Sequence, residues 1–300
     1  MKTQNLSKLL LGFVSCLTFA SLSSQAATLI AYDGFNEYTA GSGINGQIGG
    51  TGWSGAWAGI ASATVASESI TYSSAGITRG GGLSLKVTGN NNAAFGRNAL
   101  PTLDQSGQSY FASFAFQVKS PNTGEVTGNP FASWMPRDSS IDINNDNQGF
   151  TGSSGRAGAR IGGGNPPTSG TLVNSPLTGE KLQFNTTYFF VIEFGGWDVT
   201  EQRYTTSTVW LNPGTGDQFT TDASIKASST AGTAVNGSDG FLGLNVRTVS
   251  LTADTYYLFD DLRVGTTWDS VVTQAIPEPS TTLLMGAFGA GLIVWRLRAR

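Results

Sequence analysis

The sequence predicts an all-β fold, a two-sheet antiparallel jelly-roll sandwich. Three observations predict it. Between about residues 27 and 275, short segments alternate apolar and polar residues at period two, as half-buried strands do. Clusters of Gly, Asn, Ser, Thr and Pro separate those segments. No stretch of this body carries helical periodicity over three turns. The composition agrees. Glycine is 40 of 300 residues, aromatics are 11% and charged residues 12%, against a usual ~7% glycine and ~25% charged.

The elements follow in order. Leu83-Ser84-Leu85-Lys86-Val87 alternates and reads as a strand. So does Tyr110–Lys119, with Phe114, Phe116 and Val118 facing one side. Thr187–Phe194 is apolar on both faces and reads as a central strand. Ser207–Leu211 follows, ending in a turn at Asn212-Pro213-Gly214. Phe241–Val246 is another strand, and Tyr256–Gly265 is the last long one. Strand, turn and strand repeated over this length give two packed sheets.

Composition also excludes functions. Low charge and high glycine exclude a coiled coil, a helical repeat and a basic nucleic-acid binder. The chain has no histidine, which removes Ser-His-Asp and Cys-His catalysis and histidine metal sites. Its single cysteine, Cys16, lies in a segment lost on maturation. The mature chain then has no disulfide, thiol nucleophile or thiolate metal site.

Both ends read as addresses. Lys2 and Lys8 precede the mostly apolar run Leu9–Ala20, and small residues follow to Ala27. This is the pattern of a secretory signal peptide, residues 1–26. Ser24 and Ala26 suit the −3 and −1 positions, with cleavage after Ala27 as the near alternative. An uncleaved anchor is disfavoured, because about twelve apolar residues fall short of a ~30 Å hydrocarbon core. At the other end Pro277 and Pro279 break any preceding structure. Thr281–Trp295 is uncharged, and Arg296, Arg298 and Arg300 close the chain. The order predicts a single transmembrane helix with a basic cytoplasmic end. It rises only ~22 Å, a gap that snorkelling arginines and local thinning can close. A buried core helix would handle the three arginines poorly.

Pro277-Glu278-Pro279, the apolar run and the Arg296-Leu297-Arg298-Ala299-Arg300 tail resemble the PEP-CTERM sorting signal of bacterial exported proteins, over residues 276–300. The resemblance implies a membrane processing enzyme, exosortase, that recognises Pro277-Glu278-Pro279. The body is then released or transferred to the outer surface of a Gram-negative cell. Proteins of this kind look like components of an extracellular matrix or cell envelope. The motif is a site acted on by another enzyme.

Residues 27–275 remain as one domain. Five of the 17 basic residues and one of the 20 acidic residues, Glu278, lie outside it, leaving a net charge of −7. That suits solubility, argues against nucleic acid and anionic lipid as partners, and suits calcium as an ion. Tyr32-Asp33-Gly34-Phe35, followed by Gly49-Gly50-Thr51-Gly52-Trp53-Ser54-Gly55-Ala56-Trp57, resembles the opening of exported bacterial sandwich proteins. Phe259–Trp268 resembles the closing strand of LamG-like, concanavalin A-like jelly rolls. Val209-Trp210-Leu211-Asn212-Pro213 is similar to their penultimate region. The resemblance implies a β-sandwich and often a carbohydrate or protein ligand.

Candidate chemistry is sparse. A glycosidase needs two carboxylates ~5–9.5 Å apart across a cleft. Glu193, Asp198 and Glu201 are the nearest cluster, but Gly195-Gly196 interrupts them and 193 and 198 differ in parity. Asp260 and Asp261 are adjacent, so a regular strand turns them apart. The expectation is a non-enzyme. Asp142-x-Asn144-x-Asp146 has the opening spacing of a calcium loop, flanked by Asp138 and Asn147. It lacks the sixth-position glycine and the closing glutamate, and a solvated turn explains it as well. Trp53 and Trp57, in a Gly-rich segment, are candidates to stack on sugar rings; the alternative is that they plug the end of the sandwich. Trp134 and Trp197 are also available, while Trp210 reads as core. Arg79-Gly80-Gly81-Gly82 and Arg160–Gly164 lack the ending of a phosphate loop and read as flexible connections. The resulting expectation is a non-catalytic matrix or carbohydrate-binding protein. The alternatives are a divergent glycan hydrolase of the same fold and a purely structural envelope protein.

Overall fold

In a computed structural model, Tyr110–Lys119 and Tyr256–Gly265 form adjacent inner strands of one sheet. The structure describes residues 29–59, 63–88, 93–98, 109–126, 131–136, 149–153, 156–161, 173–179, 181–200, 203–230, 243–249 and 254–273. In chain order the strands are β1 (Leu29–Asp33), β2 (Ala58–Gly59), β3 (Ala63–Ala66), β4 (Thr71–Ser74), β5 (Ile77–Gly80), β6 (Ser84–Val87), β7 (Ala93–Asn98), β8 (Tyr110–Lys119) and β9 (Phe131–Pro136). They continue with β10 (Gly149–Ser153), β11 (Arg156–Ile161), β12 (Val173–Pro176), β13 (Thr187–Asp198), β14 (Arg203–Leu211), β15 (Lys226–Thr230), β16 (Gly243–Val249) and β17 (Tyr256–Gly265). A short helix, α1 (Trp268–Val272), follows. Residues 241 and 242 of the expected strand at Phe241 lie outside the described residues.

One sheet runs β15-β14-β13-β8-β17-β6-β3, with β1 also paired to β17. The other runs β12-β11-β10-β9-β16-β7-β2, and every pairing named in either is antiparallel. The chain passes from one sheet to the other at β6→β7→β8→β9 and again at β15→β16→β17. The neighbours β13-β8-β17-β6 and β9-β16-β7 are therefore remote in sequence, while β13-β14-β15 and β9-β10-β11-β12 run consecutively. The two sheets face each other across a common core.

An aromatic ladder fills the middle of that core. Phe190 of β13 lies directly opposite Phe114 of β8, and Phe116 of β8 opposite Phe259 of β17. Their ring centroids are 5.5 and 5.1 Å apart. Each ring contributes about 1.5–3 kcal/mol by burial, and each pair ~0.5–1.5 kcal/mol more. Thr187–Phe194 is central, as its apolar character on both faces predicts. Its other face, Phe189 and Val191, packs with Phe111 and Trp210 under Tyr72 and Ile77 of the β4–β5 hairpin and Trp268, Val271 and Val272 of α1.

The same covering corrects the half-buried reading of Tyr110–Lys119. Nine of its ten residues are buried. Ser113 and Ala115 are small and leave room for the covering elements, and Ser113 Oγ donates to Val271 O at 2.9 Å. β13 also runs straight through Gly195-Gly196, so the glycines do not interrupt the strand; Gly196 takes φ 65°.

The β4–β5 hairpin turns on two residues, Ala75 (φ 51°) and Gly76 (φ 77°). Positive φ at both central positions makes a type I′ turn, which favours Asn-Gly. The exposed Ala75 is strained there. Ala75→Asn is expected to stabilise the protein by about 0.5–1 kcal/mol, read as a raised midpoint in urea; a lowered midpoint would contradict the assigned turn.

Candidate functional site

The outer edge of β17 is shared. Tyr257–Phe259 pairs with β6, and Leu262–Gly265 pairs with β1. Between them lies a bulge, where the register against β8 shifts from Asp260 to Arg263 and Asp261 takes φ 51°. Such an insertion bends the strand and re-aims its side chains. Asp260 and Asp261 therefore do not diverge as a regular strand would make them. Gly81 N–H donates to Asp260 Oδ2 at 2.8 Å and Gly80 N–H to Asp261 Oδ2 at 3.2 Å.

This makes the glycine run an ordered cradle rather than a flexible connection. Gly80, Gly81 and Gly82 all have positive φ, and a Cβ on Gly80 would meet the Ile70 carbonyl and Asp260. Successive amides turned toward one point form a nest for acceptor oxygens, and here the acceptors are the protein's own carboxyl groups. Arg263 Nε reaches Asp261 Oδ1 at 2.8 Å, and Arg79 Nε lies 3.9 Å from Asp261 Oδ2. Burial, with the neighbouring Arg263, pulls the Arg79 guanidinium down to about 10. Burial pushes the Asp260 carboxyl up to about 8 against its two backbone donors, with Asp261 and Asp33 adding to the rise.

A second buried group lies at the end of β1. Asp33 is 0% exposed and accepts four kinds of donor. They are Phe35 N–H at 3.0 Å, Tyr38 O–H at 2.6 Å, Trp57 Nε1–H at 3.0 Å and Arg97 Nη1 at 3.1 Å. Burial raises the Asp33 carboxyl, and these donors oppose the rise. Arg97 also donates to Gly55 O and Gly49 O, so one guanidinium holds the loop after β1 at two further points. The loop comes close because of Gly52, where a Cβ would overlap the Ile30 carbonyl oxygen. Among the described residues, Asp33, Asp260, Asp261, Arg79, Arg97 and Arg263 are the buried ionisable side chains; Asp33 and Asp261 lie beside guanidiniums, and Asp260 accepts from backbone N–H groups.

The residues singled out from sequence fall in different places. Trp53 and Trp57 are 7% and 1% exposed. Trp57 packs on Phe35, Trp53 on Trp57, and Trp53 Nε1–H donates to Tyr32 O at 3.0 Å. Their faces meet protein, which places them as an end plug rather than as open stacking platforms. Trp210 is core, and the half-buried Trp197 packs edge-on against Tyr204 at 5.0 Å. Glu193 is half-buried in β13, and Asp198 Oδ1 caps the next turn through Thr200 N–H at 2.8 Å. Glu201, the Asp142, Asn144 and Asp146 loop, the Pro277-Glu278-Pro279 motif and Arg296, Arg298 and Arg300 lie outside the described residues, as do residues 1–26.

Beside Asp33 opens a cleft of about 70 Å³, lined by Tyr32, Gly34, Phe35, Asn36, Glu37 and Gly50. That is room for a water or two, far below the ~300 Å³ of a small-molecule pocket. Glu37 is committed to Gly50 N–H at 2.8 Å, and Asn36 to Leu83 N–H at 2.8 Å. Among the described residues, no group of three or more acidic or thiol side chains is placed to hold a metal. Nor is any helix among them long and apolar enough to cross a membrane. The chemistry of this region is that of a clasp. The roles of Arg79, Arg97 and Arg263 were not legible in the sequence; the available signal was a charge within or beside apolar strand segments, since buried charges need partners.

Residues 275–300 match the family described as the PEP-CTERM protein-sorting motif. No curated protein matches the chain. Among solved structures, the chain is similar to an endo-beta-1,4-glucuronan lyase from the fungus Trichoderma reesei, at 15% identity and TM-score 0.41, covering 79% of this chain and 100% of that one. It is also similar to the receptor-binding domain of botulinum neurotoxin type G, at 10% identity and TM-score 0.39, over 70% of this chain and 45% of that one. A third is a carbohydrate esterase from the Shiga toxin-encoding bacteriophage phi24B, at 14% identity and TM-score 0.38, over 69% and 91%. Likenesses this distant carry neither activity nor ligand to this chain.

Two outcomes are expected. Trp57→Ala removes a fully buried ring and a donor to Asp33, and should destabilise the protein by about 3–5 kcal/mol, measured by urea unfolding; a neutral result would put the ring outside the core. For pH, the folded Asp260 carboxyl near 8 exceeds its unfolded ~3.9. The folded state therefore holds a proton that the unfolded state has lost, and this contribution to stability falls as pH rises from about 4 through 8. Melting temperature should drop across that window, and Asp260→Asn should flatten the slope.

Proposed function

We propose that this is an exported protein of the cell surface or extracellular matrix, delivered by its C-terminal sorting signal. Its body is a non-catalytic β-sandwich that binds carbohydrate or other matrix material. The observation that carries the reading is the match of residues 275–300 to a protein-sorting motif. In this reading signal peptidase removes residues 1–26, and the apolar run Thr281–Trp295 holds the chain in the membrane. Arg296, Arg298 and Arg300 stay on the cytoplasmic side, and an exosortase-type enzyme acts at Pro277-Glu278-Pro279.

The chemistry of the body supports a non-catalytic role. Hydrolysis of a glycan needs one carboxyl to give a proton and a second to attack or activate water. Asp33, Asp260 and Asp261 are buried under donors that belong to the fold. Glu193 and Asp198 lie in one strand, and Asp198 is engaged in a turn. A purely structural envelope role is the second reading, favoured by the burial of Trp53 and Trp57, which removes the two rings first considered for sugar stacking. Calcium at Asp142, Asn144 and Asp146 remains part of the binding reading.

The test uses the full chain in a Gram-negative cell that carries an exosortase. Alanine at Pro277, Glu278 and Pro279 should leave an untrimmed, membrane-bound form, while the parent chain is trimmed and reaches the outer surface; equal trimming of both would sink the sorting claim. Surface-delivered protein is then mixed with the cell's exopolysaccharide, with and without chelator. Saturable binding without new reducing ends fits a matrix binder, whereas released reducing ends would overturn the non-catalytic reading.

A further inference from the structure

We propose that α1 is a folded brake on C-terminal processing and that Arg79 is the positioning residue that sets it; the inference rests on the sorting reading above. The helix has five residues, too few to persist alone, so neighbouring elements hold it. Trp268, Val271 and Val272 are buried against the sheet, and Thr267 and Ser270 close a capping box at its start. Its last carbonyls are gripped by two buried side chains from other elements. Ser113 Oγ of β8 donates to Val271 O at 2.9 Å. Arg79 Nη2, at the end of the hairpin, donates to Val271 O at 3.4 Å and to Val272 O. The far side of Arg79 faces Asp261 in the β17 bulge, so the grip is anchored in the clasp.

Thr273, the cap of α1, is therefore held at a fixed point. Four peptide steps separate it from Pro277, a reach of at most ~14 Å when fully extended. Peptide-recognition grooves bind their targets as extended segments, several residues long. An enzyme seated on Pro277-Glu278-Pro279 that also covers several residues upstream of the motif draws them from α1. Release of α1 precedes engagement, and the Arg79 grip sets how often it releases. The trimming step breaks one peptide C–N bond. The acyl carbon passes to water or to an acceptor amine, and the C-terminal fragment leaves with a protonated amine.

The experiment is a pulse-chase of C-terminal trimming in the exosortase-bearing cell, with the melting temperature of each surface-delivered product recorded beside it. About ten Gly/Ser residues inserted between Thr273 and Gln274 supply slack without touching the fold. The insertion should speed trimming at least tenfold, since α1 then need not release and a single charged hydrogen bond already accounts for about that factor. Arg79→Ala should speed the parent chain similarly and have no further effect in the inserted chain, and Arg79→Lys should fall between. An inserted chain trimmed at the parent rate, or more slowly, overturns the brake even if Arg79→Ala fails to fold. Loss of trimming on alanine substitution of Pro277, Glu278 and Pro279, with no effect of the insertion, would leave the sorting reading standing and remove this one.

Discussion

Three carboxyl groups and three guanidiniums are taken out of water where the first and last strands of the sandwich meet, and the fold depends on each finding a partner. Asp33 and Asp261 lie beside guanidiniums, and Asp260 lies under backbone N–H groups. An unpaired charge at any of these positions would cost several kcal/mol. Asp33 sits at the end of β1 with four donors around it, and Arg97 ties it to the loop that carries Trp53 and Trp57. Asp260 and Asp261 sit in the β17 bulge, where β6 gives way to β1 as the neighbouring strand. The hairpin enters this gap with Arg79 and three glycine residues in left-handed conformation. Remote stretches of chain are thus fixed to one another by geometry that hydrophobic burial alone, being non-directional, would not specify.

The strands were legible because their cause is local. Alternation in Leu83–Val87 and Tyr110–Lys119, and the apolar run at Thr187, mark strands and their core-facing residues before any partner is known. The second covering of the sheet was not legible. Ser113 and Ala115 carry no signal that a helix and a hairpin lie over them, and α1 is too short to show a helical period. The glycine run misled for a related reason. Glycine permits flexibility and also permits close approach, and only the presence of Asp260 and Asp261 above Gly80 and Gly81 decides between the two. Trp53 and Trp57 look exposed in a Gly-rich context, yet that context is what lets the loop fold back and bury them.

The same clasp links architecture to export. The body gives both described ends to one sheet, since β1 and β17 pair with Leu29 opposite Gly265. Its N-terminal strand begins just after the expected cut at Ala26, and its final helix ends just before the sorting motif. No intramolecular disulfide is open to the fold, because Cys16 is the chain's single cysteine.

The central claim is that these buried charges are structural. A double-mutant cycle between Asp33 and Arg97, using Asp33→Asn, Arg97→Met and both together, tests it directly by urea unfolding. Each single change should cost about 3–5 kcal/mol, and the pair should cost clearly less than the sum, since the second change removes a charge already stranded by the first. Strict additivity, or single losses below about 1 kcal/mol, would contradict the account and return Asp33 to the list of groups free for other work.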